Sequence, residues 1–232
     1  MSNGCVNLAL IDQTATRSEA LALIDQWTQE SDRAESAKRR NPEIIHRFLL
    51  GRALVRALIE RHTGCDGRAC DIVLNDNGKP FVTLPGGQPG PPVSISHSGA
   101  MVVAALSEAG AVGVDVEQHR THRSFDAIAG YAFGPKERVV AGATPDDFYR
   151  IWCLREAMSK ATGIGLTEAA DRVDRVHQFP RHGIQESWVG EERWLLAHLT
   201  PHDGYSLAVA LKPSGSDDRI EWTESALDLW WP

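Results

Sequence analysis

Cysteine is scarce in this chain: four residues, Cys5, Cys65, Cys70 and Cys153, among 232. No two form a C-x-x-C pair and none stands at zinc-finger spacing from a histidine, so the expected reading is free thiols rather than a redox pair or a zinc module. Long apolar runs are missing as well. No stretch of about 18 apolar residues occurs, and no membrane span is expected. The N-terminus from Met1 to Leu10 lacks both a basic segment and a long apolar one, so no signal peptide is expected and the cytoplasm is the expected location. Positive charge is in deficit, with 24 Lys and Arg against 31 Asp and Glu and a formal net charge of −7. A nucleic-acid partner is therefore not expected, although a local basic patch for a small phosphorylated ligand remains compatible with that total. No period of about 20–50 residues recurs, which argues against a solenoid. Pro85-Gly86-Gly87 lacks the Gly-Lys-Ser/Thr ending of a phosphate loop, and no helix follows it.

What is present reads as an ordinary globular protein, 42% hydrophobic and 24% charged, long enough for one large domain or two small ones. Ser18 caps a helix predicted over 18–39. Asn41-Pro42 restarts a second one, which runs to Thr63-Gly64. Strands are predicted at 71–74 and 79–82, with a turn at Asn75 to Gly78 between them. A hairpin over 92–96 and 101–106 turns around His97-Ser98-Gly99. Val112 to Glu117 opens a second half. Helices at about 124–131, 135–141 and 145–162 follow, then strands at 184–189, 194–199 and 205–211. Each half sets helices before strands and ends in a small-residue strand, Val102 to Leu106 and Leu207 to Leu211. The fold class expected is α+β, with a possible duplication of one unit.

Two stretches carry unusual chemistry. In Val112-Gly-Val-Asp-Val-Glu117, side chains two apart share a strand face, so Asp115 and Glu117 point one way while Val114 and Val116 point the other. Two carboxylates on one face repel unless a cation sits between them, and hard carboxylate oxygens suit Mg²⁺. An edge strand with a solvated face explains the pair equally well. In Trp152-Cys-Leu-Arg-Glu156-Ala-Met-Ser-Lys160, the acid and the base stand one helical turn apart. Alone they read as an exposed salt bridge worth about 0.3–0.5 kcal/mol. The Trp152 on the same stripe turns that stripe towards the interior or a cleft.

Taken in order, Gly78-Lys79-Pro80, Ser94-Ile-Ser-His-Ser-Gly99, Gly113-Val-Asp-Val-Glu117 and Trp152 to Lys160 resemble the 4′-phosphopantetheinyl transferase superfamily in its larger, pseudo-twofold (Sfp-like) type. The resemblance runs from about Arg47 to Leu211. One departure is Arg155, where the family usually has Lys before the helix Glu; a planar fork replaces a point charge.

The resemblance implies an α+β fold of two similar subdomains, 1–111 and 112–224, with a Trp-rich tail at 225–232 and coenzyme A bound between the two. It implies an enzyme that moves the 4′-phosphopantetheine arm of coenzyme A to a serine of an acyl or peptidyl carrier protein and releases 3′,5′-ADP. Asp115, Glu117 and Glu156 would hold Mg²⁺, with Mn²⁺ as the substitute. Glu156 would act as general base, and Glu156, Lys160 and Asp115 form the catalytic set. Arg47, Lys79, Ser96 and His97, with Asp115 and Lys160, would bind coenzyme A, with Arg47 and His97 near its 3′-phosphate. Arg33 and the run Lys38-Arg39-Arg40 are further candidates for that phosphate. A monomer is expected. Two rival readings stay open: a Mg²⁺-dependent phosphohydrolase using the same carboxylates, and a non-catalytic module that binds coenzyme A or a carrier. Neither the pathway of the carrier nor acceptance of acylated coenzyme A is encoded legibly.

Overall fold

The computed structural model describes residues 6–14, 17–120, 125–163, 183–189 and 191–215. Strand β1 (Val6–Asp12) is followed by α1 (Arg17–Trp27), α2 (Glu30–Ser36) and α3 (Pro42–Thr63). A short hairpin, β2 (Asp71–Leu74) and β3 (Pro80–Thr83), leads to β4 (Val93–Ser98) and β5 (Met101–Ser107). The second half comprises β6 (Gly110–Gln118), α4 (Phe125–Ala132), α5 (Pro135–Ala141), α6 (Pro145–Thr162), β7 (Gly183–Val189), β8 (Glu192–Leu199) and β9 (Tyr205–Pro213). The fold is α+β.

The two long helices are punctuated as their sequences demand. Asn41 accepts the Glu43 amide at the start of α3, and Thr144 accepts the Asp147 amide at the start of α6; a proline opens each first turn. Gly64 and Gly163 close them at φ of 71°, the left-handed conformation that favours glycine.

The strands form two antiparallel sheets, β1-β5-β4 and β6-β9-β8-β7, beside the β2-β3 hairpin. Alternation along the strands makes four layers. One face of the first sheet (Ala9, Ile11, Val102, Ala104, Leu106) packs on α1 and α3. Its other face (Val6, Leu8, Val103, Ala105) meets Val112, Val114, Val116, Leu207 and Val209 of the second sheet. The far side of the second sheet (Leu196, Ala208, Ala210) packs on α5 and α6. Because β5 has a packed layer on both faces, every one of its residues is buried, and its sequence reads as an apolar run rather than an alternation. No helix among the described residues is long and apolar enough to cross a membrane.

Three details depart from the sequence expectations. Strand β1 was not anticipated: Val6-Asn-Leu-Ala-Leu-Ile-Asp12 has no turn signal ahead of it, and short apolar runs are ambiguous in period. The helix expected over 18–39 is two helices, because the buried Asp32 reaches back to the Gln29 amide and also binds Arg56, restarting the chain at Gln29. The β4-β5 turn lies at Gly99-Ala100, one step beyond the expected centre, so His97 and Ser98 belong to strand β4. The Trp-rich tail lies outside the described residues.

Candidate active site

Strands β4 and β6 run side by side in the same direction, joined through side chains. The hydroxyl oxygens of Ser94, Ser96 and Ser98 accept the amides of Val114, Val116 and Gln118 at 3.1, 3.2 and 3.1 Å. Serines at every second position share a strand face, so three hydroxyls line one seam between the sheets.

Two of those hydroxyls also donate, and they donate to the unusual carboxylates. Ser96 Oγ donates to Asp115 Oδ1 at 2.8 Å, and Ser98 Oγ donates to Glu117 Oε2 at 2.8 Å. The Lys160 ammonium lies 2.7 Å from Asp115 Oδ1 and 2.9 Å from Ser96 Oγ. A hydroxyl offers one donor and two acceptor positions; Lys160, Val116 and Asp115 fill all three of Ser96's. The Ser96 hydroxyl is thus fully engaged in these bonds, while the residue also lines the cleft in front of the carboxylates. Glu117 is gripped from the other side, since the Trp152 indole N–H donates to its Oε1 at 3.1 Å.

The second oxygen of Asp115, Oδ2, is buried and has no hydrogen-bond partner. Beside this carboxylate, the fully buried Cys153 thiol is pushed well above the ordinary thiol range, by burial first and then by the Asp115 and Glu117 charges. A side-chain hydrogen bond to Asp115 adds to the upward push, and Sγ also meets the Ser206 carbonyl at 3.5 Å.

Helix α6 reaches the carboxylates because β6 carries Gly113. A β-carbon there would overlap the Ala157 carbonyl of α6, so only glycine permits this approach. Underneath, Arg155 is fully buried and pairs with the buried Glu137 of α5 at 2.5 Å, its guanidinium 5.9 Å from the centre of the Phe133 ring. Arg155 therefore ties α6 to α5.

In front of the carboxylates opens a cleft of about 410 Å³, walled by Arg39, Arg47, Phe48, Arg52 and His97, with Asp115, Glu117, Glu156 and Lys160 at one end. Arg39 lies over the Phe48 ring at 3.9 Å. Arg47 pairs loosely with the exposed Glu43 at 3.4 Å, and its Nε is buried without a partner. The His97 pKa is held below the ordinary value, by burial first and then by Arg47. Of the other basic candidates, Lys38 pairs with Glu35 and Arg33 with Asp25, both at the surface.

An adjoining cavity of about 390 Å³ shares Gly78, Pro80, Ile95, Glu156 and Lys160 with the cleft and adds Lys79 and Ser159. Lys79 does not extend a free ammonium into it. Its Nζ donates to the Ala161 carbonyl at 2.6 Å and contacts the Val112 carbonyl at 3.4 Å, neutralising the C-terminal end of α6. Burial holds its pKa below the ordinary lysine value.

The described residues contain no group of three His, Cys, Asp or Glu side chains drawn together as metal ligands, so the expected set of Asp115, Glu117 and Glu156 is not preassembled. Mg²⁺ asks for less. It binds through one or two carboxylates and takes waters and phosphate oxygens for the rest. The orphaned Asp115 Oδ2, with Glu117 on the same face, fits that requirement.

Sequence reasoning brought Asp115, Glu117, Glu156, Lys160, Ser96, His97 and Arg47 to one place. Arg39, a candidate through the run Lys38-Arg39-Arg40, lines the cleft as well, and Trp152 turns inward as its stripe suggested; Ser98 and Arg52 were missed. The period-two serines on an otherwise apolar strand were the available signal for Ser98.

Similarity to known proteins bears on the family and on the α+β fold. The model of the 4′-phosphopantetheinyl transferase superfamily matches residues 111–210, from the start of β6 into β9. This match supports the family resemblance read from the sequence motifs. The chain is 26% identical over 211 residues to 4′-phosphopantetheinyl transferase HetI of Nostoc sp. (strain PCC 7120), covering 88% of this chain and 86% of that one. It is 32% identical over 143 residues to 4′-phosphopantetheinyl transferase Sfp of Bacillus subtilis (strain 168), covering 59% and 61%. A phosphopantetheinyl transferase of Thraustochytrium sp. is 30% identical over 162 residues, covering 62% and 56%.

Proposed function

We propose that this enzyme transfers the 4′-phosphopantetheine arm of coenzyme A to a serine hydroxyl of a carrier protein, leaving 3′,5′-ADP. The observation that carries the reading is the junction of Asp115, Lys160 and Ser96 at the head of a cleft walled by Arg39, Arg47, Arg52 and His97. Coenzyme A carries a pyrophosphate and a 3′-phosphate, and a row of cations along one cleft accommodates both. Arg47 and His97 face the 3′-phosphate in this reading. Lys160 meets the pyrophosphate, where negative charge grows as the bond to the leaving diphosphate lengthens.

Asp115 and Glu117 would hold Mg²⁺, with Glu156 beside them; the ion, when bound, neutralises pyrophosphate charge. Glu156 takes the proton of the incoming serine, directly or through a water. The serine oxygen then bonds to the phosphorus next to the pantetheine arm, and the bond from that phosphorus to the bridging oxygen breaks with its electrons going to 3′,5′-ADP. Residues 1–111 and 112–224 as subdomains, a monomeric state and a cytoplasmic location belong to the same reading.

The test is incubation of apo carrier proteins with enzyme, coenzyme A and Mg²⁺, read by intact-protein mass spectrometry. Addition of one phosphopantetheine to the carrier serine, abolished in Asp115→Asn, is the expected result. Cleavage of coenzyme A with no mass gain on any carrier would replace the transferase by a phosphohydrolase.

A further inference from the structure

Glu117 sits near the end of β6 with each carboxylate oxygen bonded to a different element. Oε2 takes the Ser98 hydroxyl of β4, and Oε1 takes the Trp152 indole of α6. A glutamate side chain has several rotatable bonds, and two directional bonds from opposite sides hold it in one orientation. Neither donor is loose. Ser98 is buried and its oxygen also accepts the Gln118 amide, which fixes where the hydroxyl stands. The Trp152 ring lies parallel to Phe148, with centroids 6.4 Å apart and planes 7° apart, and Phe133 tilts against it at 6.3 Å. The aromatic packing of α6 therefore aims the indole N–H at the carboxylate.

From this geometry we propose that Trp152 and Ser98 are positioning residues that hold Glu117 in its metal-binding orientation, so that the metal site is completed by one group from each side of the seam. Neither touches substrate in this role. The inference rests on the assignment of Glu117 as a metal-binding carboxylate made above. It explains why an indole lies one helical turn before Glu156: a phenylalanine would fill the same aromatic stack but present no donor. It also explains Ser98, since the amide of Gln118 needs only an acceptor, whereas Glu117 needs the hydroxyl proton. Hydrogen-bond partners of metal-binding groups are worth roughly 10–100-fold in metal affinity or activity.

The experiment is Mn²⁺ binding to the full-length protein with coenzyme A present, followed by the electron paramagnetic resonance of the free ion, for wild type, Trp152→Phe, Ser98→Ala, Ser98→Thr and Glu117→Gln. The expected result is Mn²⁺ affinity lower by about tenfold or more in Trp152→Phe and in Ser98→Ala. Ser98→Thr, which keeps the hydroxyl, restores wild-type affinity. Coenzyme A affinity without metal stays at the wild-type level in the Trp152 and Ser98 variants. Near-ultraviolet circular dichroism checks folding; should Trp152→Phe fail to fold, the alanine and threonine pair at Ser98 decides alone. Wild-type Mn²⁺ affinity in the Trp152 and Ser98 variants, with affinity lost in Glu117→Gln, overturns the positioning role and leaves the metal assignment standing. Wild-type affinity in Glu117→Gln as well overturns both.

Discussion

The ammonium of Lys160 stands 2.7 Å from Asp115 Oδ1, one buried carboxylate oxygen, while the other oxygen of the same group has no hydrogen-bond partner. One side of Asp115 is thus balanced by the protein and the other is left for a ligand. Lys160→Ala should lower kcat by about 10²–10³-fold, the range for loss of one group that stabilises developing charge. Steady-state kinetics with a carrier protein checks it. A rise in KM alone, with kcat intact, would make Lys160 a ground-state anchor.

Arg155 and Glu137 offer a test of stability. Both are almost fully buried, and removing the guanidinium takes from the buried Glu137 carboxylate its cationic partner. Arg155→Ala should destabilise the protein by about 3–5 kcal/mol, read from urea unfolding. Arg155→Lys keeps charge but loses the planar fork and should fall between the two. An effect of Arg155→Ala confined to activity, with wild-type unfolding, would overturn its role as a tie between α5 and α6.

Gly113 tests the approach of α6 to β6. Gly113→Ala places a methyl against the Ala157 carbonyl, with an expected loss of about 1–3 kcal/mol. Because Glu156 and Lys160 ride on the same helix, transfer should fall further than stability alone accounts for. Thermal unfolding and kcat on one preparation separate the two effects. Wild-type values of both would show that α6 is free to stand farther from β6.

His97 gives a pH signature. In the free protein its pKa is lowered by burial, then by Arg47, with Lys160 adding and Asp115 opposing. An arriving phosphate favours the cationic ring, so the bound pKa is higher than the free one. Between the two values, binding takes up a proton, and coenzyme A affinity falls as pH rises through that window. Above the bound pKa the dependence flattens. Calorimetric titration in buffers of different ionisation enthalpy measures the uptake. It should vanish in His97→Gln and for dephospho-coenzyme A; an equal loss of affinity for both ligands, without proton uptake, would assign His97 a structural role only.

The sequence disclosed these residues unevenly, and the reasons are physical. Asp115 and Glu117 were legible because a strand's side-chain period is two, and the two valines between and before them mark the apolar face. Their pairings were not: Ser96, Ser98 and Lys160 lie 19, 19 and 45 positions away in the chain, local periodicity says nothing at that range, and only the family resemblance had put Ser96 and Lys160 in the same site. Arg155 was noted only as a departure from the family's usual Lys, and nothing local disclosed its partner Glu137. A helix turns by about 100° per residue, which carries Arg155 round to α5. Lys79 was placed as a coenzyme A contact by family resemblance; only the approach of the β2–β3 turn to the end of α6 reveals the carbonyls that its ammonium also meets. Strand β1 left too little periodic signal in its few residues to be distinguished from an irregular terminus.

The seam between β4 and β6 has a further consequence for alignment. No backbone ladder spans it, so nothing in the main chain alone sets how far one strand lies along the other. The three hydroxyls supply that indexing. A slip by one residue would bring Ile95 and His97 opposite the β6 amides, leaving Val114 and Val116 without an oxygen to accept them and turning the serine protons away from both carboxylates. The spelling Ser94-Ile-Ser-His-Ser98 therefore works as a ruler: it meters the offset between the two sheets, and the positions of Asp115 and Glu117 are read off against it.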